Sequence, residues 1–333
     1  MKRTSLRARL LSAPYIVWAG FRSNAFGDTG SYQKAFRECA SSFGEIGNYL
    51  SSVTKDKGFY LLMALEKSIF GDSCRLFFIL LAAFQLLIIV WMFRKYSEDY
   101  WFSIFLFIAS TDYISWTFNG IRQFTAVVIA YAATPFILKK KYIPSILLIL
   151  LASTMHQSVL LMIPIIFIIQ GKAWNKKTVL CILACLTALL FVDHFTDIMD
   201  SMLAETQYRN VVSDYKSWND DGTNPLRVLV YSIPMILSLI GLKYVQAEDD
   251  PMINTAVGAS AIVCGLYVIS MVTSGIFLGR LPIYISLWSQ CILLPWEIKH
   301  MFTEKSARLV KIIAICCYCV FFYFQMHFTW GIL

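Results

Sequence analysis

The sequence predicts an all-α, polytopic integral membrane protein of about eleven transmembrane helices, and two observations predict it. Of 333 residues, 58% are hydrophobic and 15% charged, with a mean hydropathy of +0.61. A soluble domain of ordinary usage is about 25% charged. The apolar residues also come in runs such as Phe77 to Phe93 and Met252 to Val272, close to the roughly 20 residues of helix that a bilayer's hydrocarbon requires. The net charge of +8 does not point to nucleic acid. Lys and Arg punctuate the apolar runs, where they act as topology signals.

In chain order the apolar segments fall at about 9–21, 76–93, 101–118, 124–138, 143–155, 158–170, 178–192, 226–244, 252–274, 281–297 and 309–327. The first follows the basic stretch Lys2, Arg3, Arg7, Arg9 and also has the pattern of a signal peptide. Basic clusters at Lys2 to Arg9, Arg94-Lys95, Lys139-Lys140-Lys141, Lys172 with Lys176-Lys177, and Lys299 to Lys311 are placed in the cytoplasm by positive-inside bias. Segment 143–170 fixes the map: one long helix would put the clusters on either side of it on opposite faces. Two short helices folded at Met155-His156-Gln157-Ser158 keep both inside and lift His156 to the outer surface. Such a hairpin needs shielding by neighbouring helices.

Under this reading the chain is a single transmembrane domain over 1–333 with extracytoplasmic loops at 22–75 and 193–225. Within the first loop, Lys57 to Phe70 has helical periodicity with a mixed face and reads as a helix lying along the interface. Trp174, Trp218, Trp296 and Trp330 sit near segment ends, as interfacial aromatics do. Most cysteines lie inside apolar runs, where a thiol behaves as a small hydrophobe. Cys39 and Cys74 lie in the polar loop and could pair there, which sequence does not establish. The acidic run Glu248-Asp249-Asp250 reads as a solvated cytoplasmic loop.

Ionisable groups that hydrocarbon rejects tend to mark a pathway or reaction site, and here they share one side. Arg22, Arg122 and Arg280 are fixed cations at outer helix ends, suited to holding phosphate through paired hydrogen bonds. The alternative for each is pairing with an acid or snorkelling to headgroups. Asp28, in Gly27-Asp28-Thr29-Gly30, is either a turn and helix cap or a carboxylate that binds a sugar hydroxyl or takes its proton. His156 is either a base suited to neutral pH or a histidine hydrogen-bonded to a neighbouring helix. No phosphate-cradling glycine loop, HExxH, paired CxxC or soluble nucleotide-binding unit is present. A donor is therefore expected to arrive by the membrane, already activated.

Five stretches together carry a resemblance. They are Phe26-Gly27-Asp28-Thr29-Gly30-Ser31-Tyr32, Lys57-Gly58-Phe59-Tyr60-Leu61-Leu62, Asn119-Gly120-Ile121-Arg122-Gln123-Phe124-Thr125-Ala126, Leu151-Ala152-Ser153-Thr154-Met155-His156-Gln157-Ser158 and Gly279-Arg280-Leu281-Pro282-Ile283-Tyr284. In this order they resemble the EpsG-like family of bacterial polysaccharide polymerases, related to O-antigen polymerases of the Wzy type. The Gly-Ile-Arg-Gln and His-x-Ser elements are the most specific. The chain departs from the family's pattern in carrying little hydrophobic sequence before Arg22.

The resemblance implies a GT-C-like, inverting, metal-independent glycosyltransferase with no cofactor. It would act outside the cytoplasmic membrane, moving the growing glycan from undecaprenyl diphosphate onto the non-reducing end of another lipid-linked repeat unit. Its partners would be undecaprenyl-diphosphate-linked oligosaccharides and membrane lipids, with a chain-length regulator protein as a further candidate. In that role Arg122 and Arg280 grip the diphosphate with Arg22 assisting, and His156 is the favoured base with Asp28 as competitor. Tyr32, Tyr284 and Gln123 are candidates for sugar contacts. The rival readings are a flippase for lipid-linked sugars, which would spread charge through the membrane's depth, and a ligase using the same leaving group.

Overall fold

The computed structural model describes residues 13–24, 26–203, 222–329 and 331, and among them every regular element is helical. The basic stretch Lys2 to Arg9, Trp218 and Trp330 lie outside the described residues. Among the described residues four helices are long and apolar enough to cross a membrane: Cys74–Tyr96, Ile121–Leu138, Pro251–Met271 and Glu304–Phe328. Two bent pairs raise the number to six, Lys176–Leu190 with Val192–Leu203 (106°) and Pro225–Ile240 with Leu242–Glu248 (77°).

The difference from the eleven apolar segments has local causes. Segment 101–118 is broken into Tyr100–Ala109 and Asp112–Phe118 by Thr111, whose φ of 62° no helix continues through. The segments on either side of His156 form Tyr142–Ser153 and Gln157–Ile168. A helix of 12 residues is about 18 Å long, well short of a hydrocarbon core of about 30 Å. Segment 281–297 is divided by a π-helical turn at Ser289–Leu293 between Ile283–Trp288 and Leu294–His300. The loop expected at 193–225 opens as the helix Val192–Leu203, and residues 204–221 lie outside the described set.

The chain divides into two compact units, Met1–Lys95 with Ile104–Ile163 and Ala314–Leu333, and Tyr96–Ser103 with Pro164–Ile313. In the first, residues 13–20 are helical and pack so tightly on Cys74–Tyr96 that a Cβ on Gly20 would lie 2.1 Å from Ile79. Small residues permit such approach between membrane helices. The helix expected over Lys57 to Phe70 is present with those bounds. Near its C-terminal end, the buried Lys67 Nζ donates to the carbonyls of Phe36 (2.9 Å), Arg37 (2.7 Å) and Cys39 (3.3 Å). Those are the end carbonyls of Thr29–Glu38, groups a helix leaves without partners. Cys39 is a buried free thiol donating to the Phe36 carbonyl, and Cys74 is free as well.

In the second unit the long helix Pro251–Met271 starts where sequence rules place it. Asp250 accepts from the Met252 and Ile253 backbone N–H groups, and Pro251 opens the helix. Asp249 pairs with Lys172 at 3.3 Å and accepts from Asn254 at 3.1 Å, while Asn254 Oδ1 accepts from the Ala173 backbone. Glu248 and Asp249 are exposed, as expected of a solvated run, and Asp249 with Asn254 also ties loop 169–175 to the helix start.

Candidate active site

Asp56 is the residue on which the first unit's polar end is organised. It sits just before Lys57–Phe70 with φ 55° and ψ 38°, a left-handed conformation that Asp tolerates better than most residues. Strain of this kind persists only where the surroundings fix it, and it concentrates at functional sites. Its carboxylate accepts from Arg122 Nη1 at 2.7 Å, and its side chain is 3% exposed against 24% for Arg122. The Gln157 backbone N–H is directed at the same carboxylate. Burial raises the Asp56 pKa, and the Arg122 and Lys55 cations pull against that rise. An arginine that keeps a quarter of its side chain open beside a nearly closed carboxylate is anchored on one edge and available on another.

The His156 turn docks onto the same helix start. Gly58 donates its backbone N–H to the Thr154 carbonyl at 2.9 Å, and a Cβ on Gly58 would lie 2.1 Å from Thr154 Oγ1. Only glycine allows that approach. The chain then turns extended at His156 (φ −160°, ψ 119°) before the short helix Gln157–Leu161. His156 Nδ1 lies 2.8 Å from Ser158 Oγ. The His-x-Ser spacing thereby holds the ring through Nδ1.

The first motif meets the third in the same region. Asp28 donates its backbone N–H to Asn119 Oδ1 at 2.6 Å, and Gly27, at φ 50°, has no room for a Cβ against Asn119. The Asp28 side chain is exposed and makes no cap bond to Thr29–Glu38, so the capping alternative is not how its carboxylate is used. Tyr32 is buried, with its hydroxyl hydrogen-bonded to the Arg122 guanidinium and its ring centroid 6.0 Å from that group. Burial raises the Tyr32 pKa, with Arg122 opposing. A buried ring offers no open platform for a sugar, so Tyr32 acts here on the arginine.

Arg22 differs in kind from Arg122. It is 8% exposed, donates through Nη1 to the Thr117 and Phe118 carbonyls at 2.9 and 3.1 Å, and lies 3.7 Å over the Phe78 ring. Burial lowers its pKa to about 10, still charged at neutral pH. It closes the end of Asp112–Phe118, as a cation near a helix C-terminus does. Gln123 follows Arg122 but is buried. The structure therefore brings Asp28, Tyr32, Arg122 and His156 to one end of the first unit, with Arg22 packed beneath as a helix cap.

Arg280 and Tyr284 belong to the second unit. Arg280 is exposed and ends the short helix Leu278–Arg280, while Tyr284 is buried at 2% exposure. Gly279 is needed because a Cβ there would meet Thr223 Oγ1 at 2.5 Å. Thr223 is bonded to Ser270, one residue from the end of Pro251–Met271. Arg280 thus lies at the end of that helix opposite the Asp249–Lys172 clasp, about 31 Å away at 1.5 Å per residue.

Sequence reasoning passed over Asp56, Asn119 and Ser158. Each lies within or beside a quoted motif, and a lone arginine at a helix start was itself the signal to look for a carboxylate. A membrane site cannot hold a guanidinium without a partner.

No curated protein and no solved structure matches the chain. The family model of the EpsG family matches residues 8–330. That span contains all five motifs, four of which the fold gathers around Arg122. The chain belongs to the EpsG family, a membrane-protein family whose role is polysaccharide-polymerase-like.

Proposed function

We propose that this protein polymerises polysaccharide repeat units, transferring the growing glycan from undecaprenyl diphosphate to the non-reducing end of another lipid-linked unit. The observation that carries the reading is the partly open Arg122, held by buried Asp56 beside the His156 turn. Arg122 opens the helical run Ile121–Leu138, and Lys139-Lys140-Lys141 follow its other end, about 27 Å away. With the lysines inside, the arginine faces outward, where lipid-linked units are polymerised in this reading.

The acceptor hydroxyl attacks the donor's anomeric carbon and its proton passes to the His156 imidazole. The bond from that carbon to the diphosphate oxygen breaks, with inversion. Arg122 offsets the charge that builds on the departing diphosphate, as a preorganised donor does. Exposed Asp28 orients the acceptor or competes as base, and Arg22 positions the helix end beneath. Protein cations provide the electrostatic stabilisation, so the reaction needs no metal. Deleting the gene and separating surface glycan by gel tests the reading. One repeat per lipid supports a polymerase, absence of any surface unit a flippase, and accumulated unattached polymer a ligase.

A further inference from the structure

An apolar cavity of about 660 Å³ opens in the first unit beside the arginine site. Its walls come from the interfacial helix (Leu62, Glu66), from Cys74–Tyr96 (Leu81, Phe84), from Ile121–Leu138 (Thr125, Ala132) and from Tyr142–Ser153 with Met155. The volume falls in the range of small-molecule sites. Two of its wall residues adjoin site residues: Thr125 stands one helical turn beyond Arg122, and Met155 directly precedes His156. The interfacial helix carries the cavity along its side and the Asp56 carboxylate at its start.

A cationic, hydrogen-bonding end that continues into a hydrocarbon-lined cavity is the complement of an amphiphile with an anionic head. We infer that this cavity holds the first isoprene units of the lipid diphosphate whose head lies at Arg122; this rests on the polymerase reading above. The tail leaves the diphosphate where the cavity begins, so one ligand satisfies both halves. Its walls are built from branched and aromatic side chains on four helices, and burying hydrocarbon there removes it from contact with polar headgroups. Glu66 alone among the described wall residues can ionise. Its Oε1 is buried without a hydrogen bond, and burial raises its pKa to about 7.

The experiment compares two donors in purified full-length protein: one repeat unit on a long polyisoprenyl diphosphate, the other on a diphosphate esterified with only a methyl group, the short-tailed donor. Two variants fill the cavity from different helices, Ala132→Phe and Leu148→Trp. The inference expects each to raise KM for the long-tailed donor about tenfold and to leave the short-tailed donor within twofold, which also shows the variants are folded. Equal slowing of both donors, or of neither, overturns the cavity's role. Indifference of the unsubstituted protein to tail length overturns it in favour of a bilayer acyl chain as occupant. Transfer from neither donor by the unsubstituted protein overturns the polymerase reading and this inference together.

Discussion

The two units spend their charges differently. In the second, Lys172 pairs with Asp249, Lys299 with Glu98, and Lys311 with Asp99. Glu98 is held below the usual carboxylate range chiefly by its Lys299 hydrogen bond, and His300 stacks on Trp296 beside the same carboxylate. None of these pairs is enclosed, and open pairs such as Lys172–Asp249 contribute little to stability. In the first unit a guanidinium meets a carboxylate that is almost fully enclosed, under backbone strain, with a tyrosine hydroxyl and a backbone N–H converging on the pair. Solvated lysines mark which ends of helices stay at one membrane face. A buried acid holding a half-open arginine marks a place where a ligand is expected.

That contrast breaks first at Asp56. Asp56→Ala leaves the Arg122 charge without its buried partner, which costs about 3–5 kcal/mol for an enclosed pair. The predicted result is a large fall in thermal stability in detergent together with loss of polymer. Lys172→Ala, which removes an exposed pair, is predicted to leave thermal stability almost unchanged. Equal losses in the two variants would erase the distinction drawn between the units.

A smaller effect is expected at Gly58. In Gly58→Ala the new methyl meets both the Thr154 side chain and its carbonyl carbon, which would lie 3.0 Å away. Overpacking of this kind costs about 1–3 kcal/mol. It should push the His156 turn away from the interfacial helix and lower kcat more than it raises KM. Gly47, which has nothing within 4 Å of a Cβ, supplies the control, and Gly47→Ala is predicted to be silent in both measurements.

The weakest effect is a slope with pH. Burial raises the folded Glu66 carboxyl from 4.5 to about 7, so between those values the folded state binds more protons than the unfolded one. Stability from this group therefore falls as pH rises through that window. Melting temperature followed from pH 4.5 to 7 should show that decline, and Glu66→Gln should flatten it. An unchanged slope in the variant would assign the dependence to another group.

Much of this was legible in the sequence where one residue type decides a local outcome. Apolar run length put the starts of the helices Pro225–Ile240 and Pro251–Met271 within a residue of their observed positions, where Asn224 and Asp250 cap them. The periodicity at 57–70 gave the interfacial helix its observed bounds. The break at His156 was legible from the lysine clusters alone. Among the described residues the eleven apolar segments yield four to six helices of spanning length, because hydropathy registers apolar length and is blind to a single left-handed residue such as Thr111. The partners of the site residues were not legible. Asp56 and Arg122 are separated by 66 positions, and nothing in local periodicity links them. Arg22 and Arg122 look alike in sequence, and only burial shows that one closes a helix end while the other remains partly open.

The central claim is that the Arg122 guanidinium grips a lipid diphosphate through paired hydrogen bonds. Its most direct test is glycan length made by Arg122→Lys, where the charge remains and the planar fork is lost. The account predicts single repeat units per lipid in a variant that is folded and present in the membrane at the level of the unsubstituted protein. Polymer of unaltered length from that variant would contradict it.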